Sequence, residues 1–393
     1  MSKLEIADLC KKRSDNGRDG PMKLKATTFI SVIATIAIMI MVACSQTSCG
    51  FPGGVNRIPD AIAKAGIRLG EGSLIKSVFI EDKGFGAVSD IVFSELDPLP
   101  GEEIGIASPN GVVFTDRAGA IKAKVKLGII GRRVNFVDVE SDGVTEYMVR
   151  GEWAGNPGLY SHNGKLLWRY GGMMPGVDDM AAGDVDGDHI LEFAVGFNGG
   201  GGVHLVDKNG KTIWQFEDAN VWHVEMLDTN RDGKDEIVHS NASGVMSIRD
   251  GEGAPITSKN PGPYFSEFSV VEWPGEPVKK YAILADDNTI WLIGFDGSVA
   301  KKINIPDSGP CNQAMGVAAK LQADKPEYLA VLVGFECLDR SILYVFNPED
   351  NLIYEEVFEA PGGAIAKIAS SDGGTDLILV GGYGVVWRYE MAK

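Results

Sequence analysis

Three short loops in this 393-residue chain gather oxygen-bearing side chains at one repeated spacing. "LDTNRDGKDEIV" places Asp228, Asn230, Asp232 and Glu236 at offsets of 0, 2, 4 and 8. "GDVDGDHILEFAVG" does the same with Asp184, Asp186, Asp188 and Glu192, and "VDVESDGVTEYMVRG" with Asp138, Glu140, Asp142 and Glu146. Side chains at alternate positions of a tight loop converge on one centre. An oxygen-only donor set, with no His or Cys, selects a hard cation, and several carboxylates at flexible spacing favour calcium over magnesium. The seventh position of each loop, Lys234, Ile190 and Val144, would add a backbone carbonyl. Uncompensated, three or four carboxylates in one turn repel one another; the plainer alternative is an Asp/Gly-rich turn that needs no metal.

The loops must be held by something, and their surroundings say what. Their first positions are 46 and 44 residues apart, an internal repeat. In each copy an apolar strand leads in and a second strand leads out ("EYMVRG", "EFAVGF", "EIVHSN"). A hairpin follows, as in "SHNGKLLWRY" and "DKNGKTIWQF", with Asn-Gly at the turn, where positive φ is tolerated. Weaker copies appear in the same frame: one with Asp97 and Glu103 in the acidic positions, two without the acids, and a last with three strands before the chain ends. The count is seven units, with six or eight as alternatives. "SLIKSVFI" (73–80) is a strand with no unit of its own. Placed beside the C-terminal unit, it would close a ring and remove an open sheet edge. The expected fold is all-β, a seven-bladed β-propeller of four-stranded antiparallel blades whose last blade is closed by this N-terminal strand. The one stretch with helical periodicity, "PDAIAKAGIRLG" (59–70), is short.

The pattern D-x-[DN]-x-D-G-x-x-[DE] between the first two strands of a repeat of about 45 residues resembles the FG-GAP/VCBS repeats of integrin α-type propellers, over roughly residues 84 to 391. The resemblance implies up to three structural calcium ions held by the residues named above. The Asp228 loop fits at every position. The Asp184 loop has His189 where Gly is expected, and the Asp138 loop has Glu140 where Asp or Asn is expected. An EF-hand is matched only in its first half, because the last acid comes at position 9 rather than 12 and strands flank it. Trp168 and Trp214, in "NGKLLWRY" and "NGKTIWQF", also resemble the Gly-Lys-x-x-Trp signature of quinoprotein-type propellers. That family includes pyrroloquinoline-quinone dehydrogenases and a lipoprotein of the outer-membrane barrel assembly machinery. The plainer reading is that each Trp packs between blades.

The N-terminus reads as an address. "MKLKATTFISVIATIAIMIMVAC" has a basic start, an apolar run and a small residue before Cys44, a secretory signal. It resembles a bacterial lipobox, with Cys44 as the residue lipidated; an uncleaved anchor or plain secretion are the alternatives. Residues 1–43 are then signal and extension, 44–72 a tether and 73–393 the propeller. All readings place the propeller outside the cytoplasm, where Cys311 and Cys337 could form a disulfide. Net charge is −17, and residues 1–44 hold seven Lys/Arg against four Asp/Glu, so the acidity lies downstream. Such a surface repels phosphate backbones, which excludes nucleic acid as a partner.

No GxSxG, HExxH or P-loop is present. His223 in "NVWHVEML" lies on an expected innermost strand and could face the central channel; a packed strand residue is the plainer reading. The expected role is a calcium-stabilised, envelope-anchored, monomeric module that binds or scaffolds an envelope or extracellular protein or a glycan. The alternatives are an extracytoplasmic enzyme (polysaccharide lyase or hydrolase, or quinoprotein-like) and a barrel-assembly-type scaffold.

Overall fold

The chain divides into two units, Met1–Arg57 and Ile58–Lys393. The computed structural model describes residues 64–392, except 83, 96–101, 128–132, 151–156, 172–175, 264, 266–267, 274–278, 287, 307–312, 336–339, 360–361 and 371–372. Cys44, the signal segment, Cys311, Cys337 and Asp97 lie outside the described residues.

Two strands, β1 (Gly66–Leu69) and β2 (Leu74–Glu81), precede the repeats. Seven antiparallel sheets follow as blades of a ring. Blade 1 runs from Asp90–Glu95 to Ile121–Val125, blade 2 from Arg133–Val137 to Leu166–Arg169, and blade 3 from Val177–Gly183 to Thr212–Phe216. Blade 4 runs from Val221–Leu227 to Pro255–Lys259, blade 5 from Ser269–Trp273 to Val299–Asn304, and blade 6 from Gln313–Ala319 to Leu352–Phe358. Blade 7 has three strands of its own, Ala364–Ile368 to Val385–Met391, and β2 pairs with the last of them. The expected closure is therefore present. Of the short stretch with helical periodicity (59–70), the described part forms a strand: Gly66–Leu69 pair with Leu352–Phe358 as a fifth strand of blade 6. Among the described residues the only helical element is a single 3-10 turn, Asn198–Gly200.

Burial follows each strand's place in its blade. The second and third strands of blade 3, "EFAVGF" and "GVHLV", are buried at every residue, because neighbouring blades cover both faces. The outer strand "TIWQF" is mostly exposed. The apolar residues form seven clusters, one at each blade-to-blade interface. One joins blades 1 and 2 through Phe114, Val134 and Tyr147, and another joins blades 7 and 1 through Phe79, Val88, Ile106 and Leu379. A cluster at the second of these junctions is what makes the array a ring.

The two repeated tryptophans pack between blades. Trp168 of blade 2 donates its indole N–H to the Lys208 carbonyl (2.7 Å), on the Asn-Gly turn of blade 3, and Trp214 of blade 3 donates to the Gly251 carbonyl (2.8 Å) of blade 4. Gly210 (φ 77°) lies against Trp168; a Cβ there would come within 2.8 Å of the indole and would sit on left-handed backbone. The "NGK" turn of blade 3 thus receives the Trp of blade 2 while its own Trp reaches blade 4.

Closure is reinforced by a part-buried ionic clasp. Lys76 on β2 pairs with Glu356 of blade 6. The same carboxylate accepts Tyr354 Oη (2.8 Å) and Tyr389 Oη (2.9 Å). The ammonium also lies 4.6 Å from the centre of the Trp387 ring and 5.0 Å from that of Phe358. Removing the cation would strand a carboxylate that is 5% exposed. Lys76→Ala is therefore expected to cost about 2 kcal/mol in a urea titration, and a change under about 0.5 kcal/mol would reduce the clasp to the worth of a surface pair.

Candidate functional site

The inner strand of each blade begins at one end of the central channel and finishes at the other. The acidic loops follow its finishing end in blades 2, 3 and 4. All three loops share one backbone: the fourth residue (Ser141, Gly187, Arg231) and the sixth (Gly143, His189, Gly233) have positive φ, between 50° and 85°. His189 adopts φ 66° where its sister loops use Gly, so the unexpected residue does not alter the loop path.

Within each loop the first Asp anchors the turn. Asp184 accepts N–H groups from Asp186 (3.3 Å), Gly187 (2.7 Å) and His189 (2.8 Å). Asp138 accepts from Asp142 and Gly143, and Asp228 from Arg231 and Gly233. Burial pushes the Asp184 and Asp228 carboxyls up, but these donors outweigh it and hold both below the usual range. The fifth-position Asp caps the N–H of Ile190, Lys234 or Val144 at 2.8 to 2.9 Å. The ninth-position Glu reaches back to the second residue's N–H, at 3.2 Å for Glu146 to Val139 and 3.3 Å for Glu192 to Val185.

The donor sets differ. In blade 3, carboxylate oxygens of Asp184, Asp186 and Asp188 all lie within 4.8 Å of one another. Burial, reinforced by the charges of Asp186, Asp188 and Asp184, pushes Glu192 up to about 7 against the opposing Val185 N–H. This is an electrostatic conflict that a divalent cation would relieve. In blade 4 the Asn230 amide nitrogen donates to Asp232 (3.1 Å) and Glu236 (2.7 Å), replacing part of the charge a cation would bring. In blade 2, Glu140 turns to Lys208 of blade 3 and leaves Asp138, Asp142 and Glu146 as the loop's acids. The oxygen-only donors fit a hard cation best in the Asp184 loop.

At the starting end of the inner strands lies a second polar site, a cavity of about 380 Å³ in the channel. Its walls are unlike. Blades 1, 2 and 4 contribute Asp90, Arg133, Asn135, Arg150, His223 and Glu225, whereas blades 5 to 7 contribute mainly Val270, Met315, Val317, Ala364 and Ile365. On the polar side, Asp90, Asn135, Asp179 and His223 recur once per blade at the repeat spacing of 44 to 45 residues.

Neighbours in this series are joined. Asp90 accepts the Phe136 N–H (3.2 Å) and the Asn135 amide (3.3 Å). Asp179 accepts the Val224 N–H (3.2 Å), lies 2.5 Å from His223 Nδ1, and is ion-paired to Arg150. His223 stands edge-on to Phe268 with ring centres 4.5 Å apart. Its Nε2 is 3.4 Å from Glu225 Oε1 and makes no hydrogen bond. Strand register slips between Val177 and Asp179 and again between Val221 and His223. Such bulges re-aim side chains and cluster next to functional sites. His223 is a buried strand residue, the plainer of the two sequence readings, that also lines the cavity; the sequence reading did not single out Asp90, Arg150, Asp179 or Glu225. Their signal is the repeat spacing itself, which becomes visible once the acidic loops set the frame.

No protein-family model matches the chain, and no curated protein matches it. Solved structures that resemble it are many, 606 chains, so the fold alone does not single out a role. One is a crystal structure of BBS1N in complex with ARL6DN, soaked with mercury. It is 11% identical with a TM-score of 0.56, and the match covers 81% of this chain and 96% of that one. A lead-soaked crystal of the same complex matches with a TM-score of 0.54, 11% identity and coverage of 82% and 97%. At that identity the likeness is one of fold.

Burial pushes the Asp90 carboxyl up to about 6 from 3.8, against the Phe136 and Asn135 donors. The folded chain then holds this proton more tightly than the unfolded chain. Stability is therefore greatest while the group is protonated, and it falls as pH rises from 3.8 to about 6. Relative to Asp90→Asn, which has no such proton to lose, wild type should lose on the order of 2 to 3 kcal/mol across that window. Denaturant titrations at successive pH values test this, and parallel profiles would contradict it.

Proposed function

We propose that this protein is a calcium-braced β-propeller, anchored at the cell envelope, that works as a binding or scaffolding module. The observation that carries the calcium part is the Asp184 loop, with three carboxylates within 4.8 Å of one another on a backbone that two neighbouring blades repeat. The ions would be structural. Extracellular calcium modules bind with Kd values of about 10⁻⁴ to 10⁻³ M, and at ~1 mM free ion each occupied site would then add roughly 0.4 to 1.4 kcal/mol.

Bracing has a clear target, because the loops touch. Asp235, next to the ninth-position Glu of blade 4, donates its N–H to the Asp184 carbonyl (2.7 Å) and accepts the Asp184 N–H (3.0 Å). Leu191 N–H of blade 3 reaches the Val139 carbonyl of blade 2 (2.8 Å). An ion in one loop would stiffen the seam to the next blade.

The binding role is supported by a rigid ring with a polar cavity at the end opposite the loops. The BBS1N propeller, crystallised in complex with ARL6DN, is an example of this fold paired with a protein, and an envelope or extracellular protein or a glycan remains the partner class proposed here. Anchoring through Cys44 rests on the signal-like segment that ends there. A second reading has one observation in its favour: Asp179 orients the His223 ring while Nε2 stays unbonded, the arrangement of a general base. That reading makes the protein a lyase or hydrolase.

The deciding measurement strips the purified full chain, in detergent, with chelator, then follows melting temperature during calcium and magnesium titrations while bound metal is counted by elemental analysis. Two or three calcium ions per chain and a calcium-selective rise are expected. Asp184→Ala should lose one ion. No bound metal would overturn the calcium reading, and turnover on a polyuronate panel that vanishes in His223→Ala would replace the module reading with the enzyme one.

A further inference from the structure

The channel cavity has polar atoms that the fold leaves unsatisfied. Asn135 Oδ1 and His223 Nε2 are buried without a hydrogen-bond partner, and the His223 side chain is 7% exposed. The Asn135 oxygen is an acceptor, and His223 Nδ1 already faces Asp179. Glu225, 3.4 Å from Nε2 and a third exposed, adds a carboxylate. Unmet buried acceptors cost free energy that a donor-bearing ligand would recover.

Charge narrows the choice. Among the described residues Arg150 is ion-paired to Asp179, which leaves Asp90 and Glu225 on the cavity wall with Arg133. An anion would meet Glu225 and Asp90. A neutral sugar would supply donors but bring no charge to the Glu225 carboxylate. The opposite wall is apolar and only half-buried at Val270, Met315, Val317 and Ile365, so the ligand needs an apolar flank. The volume, about 380 Å³, falls at the lower end of the ~300 to 1,000 Å³ seen for small-molecule sites.

We propose that the channel cavity is a recognition site for a single organic ammonium group on an apolar stem. Asn135 and Glu225 accept from it, and the blade 5 to 7 wall holds the stem. This rests on the binding-module reading and gives the ligand class for it. The same chemistry comes either from a free alkylamine or from a lysine side chain that a protein partner inserts into the channel.

The test uses the full chain in detergent at saturating calcium, with calorimetric titration of n-butylammonium, a lysine-containing tripeptide, butyrate and glucose. Saturating butylammonium binding with a Kd on the order of millimolar is expected, with none for butyrate or glucose. Tripeptide binding tighter than butylammonium assigns the site to a partner's lysine, and equal or weaker binding assigns it to a free amine. Glu225→Gln, which keeps the shape and removes the charge, should weaken binding about tenfold. Ser269→Lys, which places a resident ammonium beside the cavity, should abolish it without altering the melting temperature. Failure of both amines to saturate, equal binding of glucose, or an unchanged affinity in Glu225→Gln overturns the proposal. Calcium counted in the same samples keeps the two ideas separate: bound calcium without amine binding removes only the amine site, and amine binding without calcium removes only the bracing.

Discussion

Everything in this molecule depends on the ring being closed. Seven blades share seven apolar seams, and each central strand is buried only because a neighbour covers each of its faces. Opening one seam would expose two such faces at once, a large loss at ~25 cal/mol per Å² of apolar surface. Blade 7 brings only three strands, so the closing strand must come from far away in the chain. β2 supplies it, and the Lys76–Glu356 clasp ties that strand to blade 6 as well as to its own blade. β1 extends the same logic one blade back, with Arg68 paired to Glu355 at 2.7 Å. The N-terminal strands are therefore structural closures rather than a linker.

A closed ring gives the protein two unlike ends. Each inner strand starts beside the cavity and ends, in blades 2 to 4, at an acidic loop, so one strand couples the two. Val221–Leu227 carries His223 and Glu225 at its start and leads directly into Asp228. Blades 2 and 4 supply both acidic loops and cavity-wall charges, whereas blades 5 to 7 supply neither acidic loops of this pattern nor, among the described residues, a charged group to the cavity. The polar half of the cavity and the proposed metal loops thus occupy the same arc of the ring. Stiffening that arc would stiffen the wall on which the unsatisfied polar atoms sit.

The repeated tryptophans illustrate how one residue pattern serves different ends. Gly-Lys-x-x-Trp resembles a quinoprotein signature, yet here both indoles are used at seams, each hydrogen-bonded to a turn carbonyl of the following blade. The pattern reports how blades dock, and the chemistry has to be sought in the channel.

Much of this was legible in the residues alone. The 44- to 46-residue period, the Asn-Gly hairpins and the orphan strand at 73–80 pointed to seven blades and to the manner of closure, because period and strand patterning are local properties, and the fold decided seven over six or eight. The shared path of the acidic loops was legible for the same reason, since side chains within nine residues of one another set it. Tertiary structure alone decided the rest. "GIRL" reads as the end of a short helix until blade 6 offers an edge to pair with, and pairing overrides a weak local preference. Glu140 fits the spacing of a ligand, and only the fold brings Lys208 of the next blade to pair with it. The cavity was hidden because its charges come from blades far apart in sequence, and because bulges at Asp178 and Trp222 shift the alternation that would have marked Asp179 and His223 as channel-facing. Sequence determines what each blade is; only the closed ring determines which side chains meet at its centre.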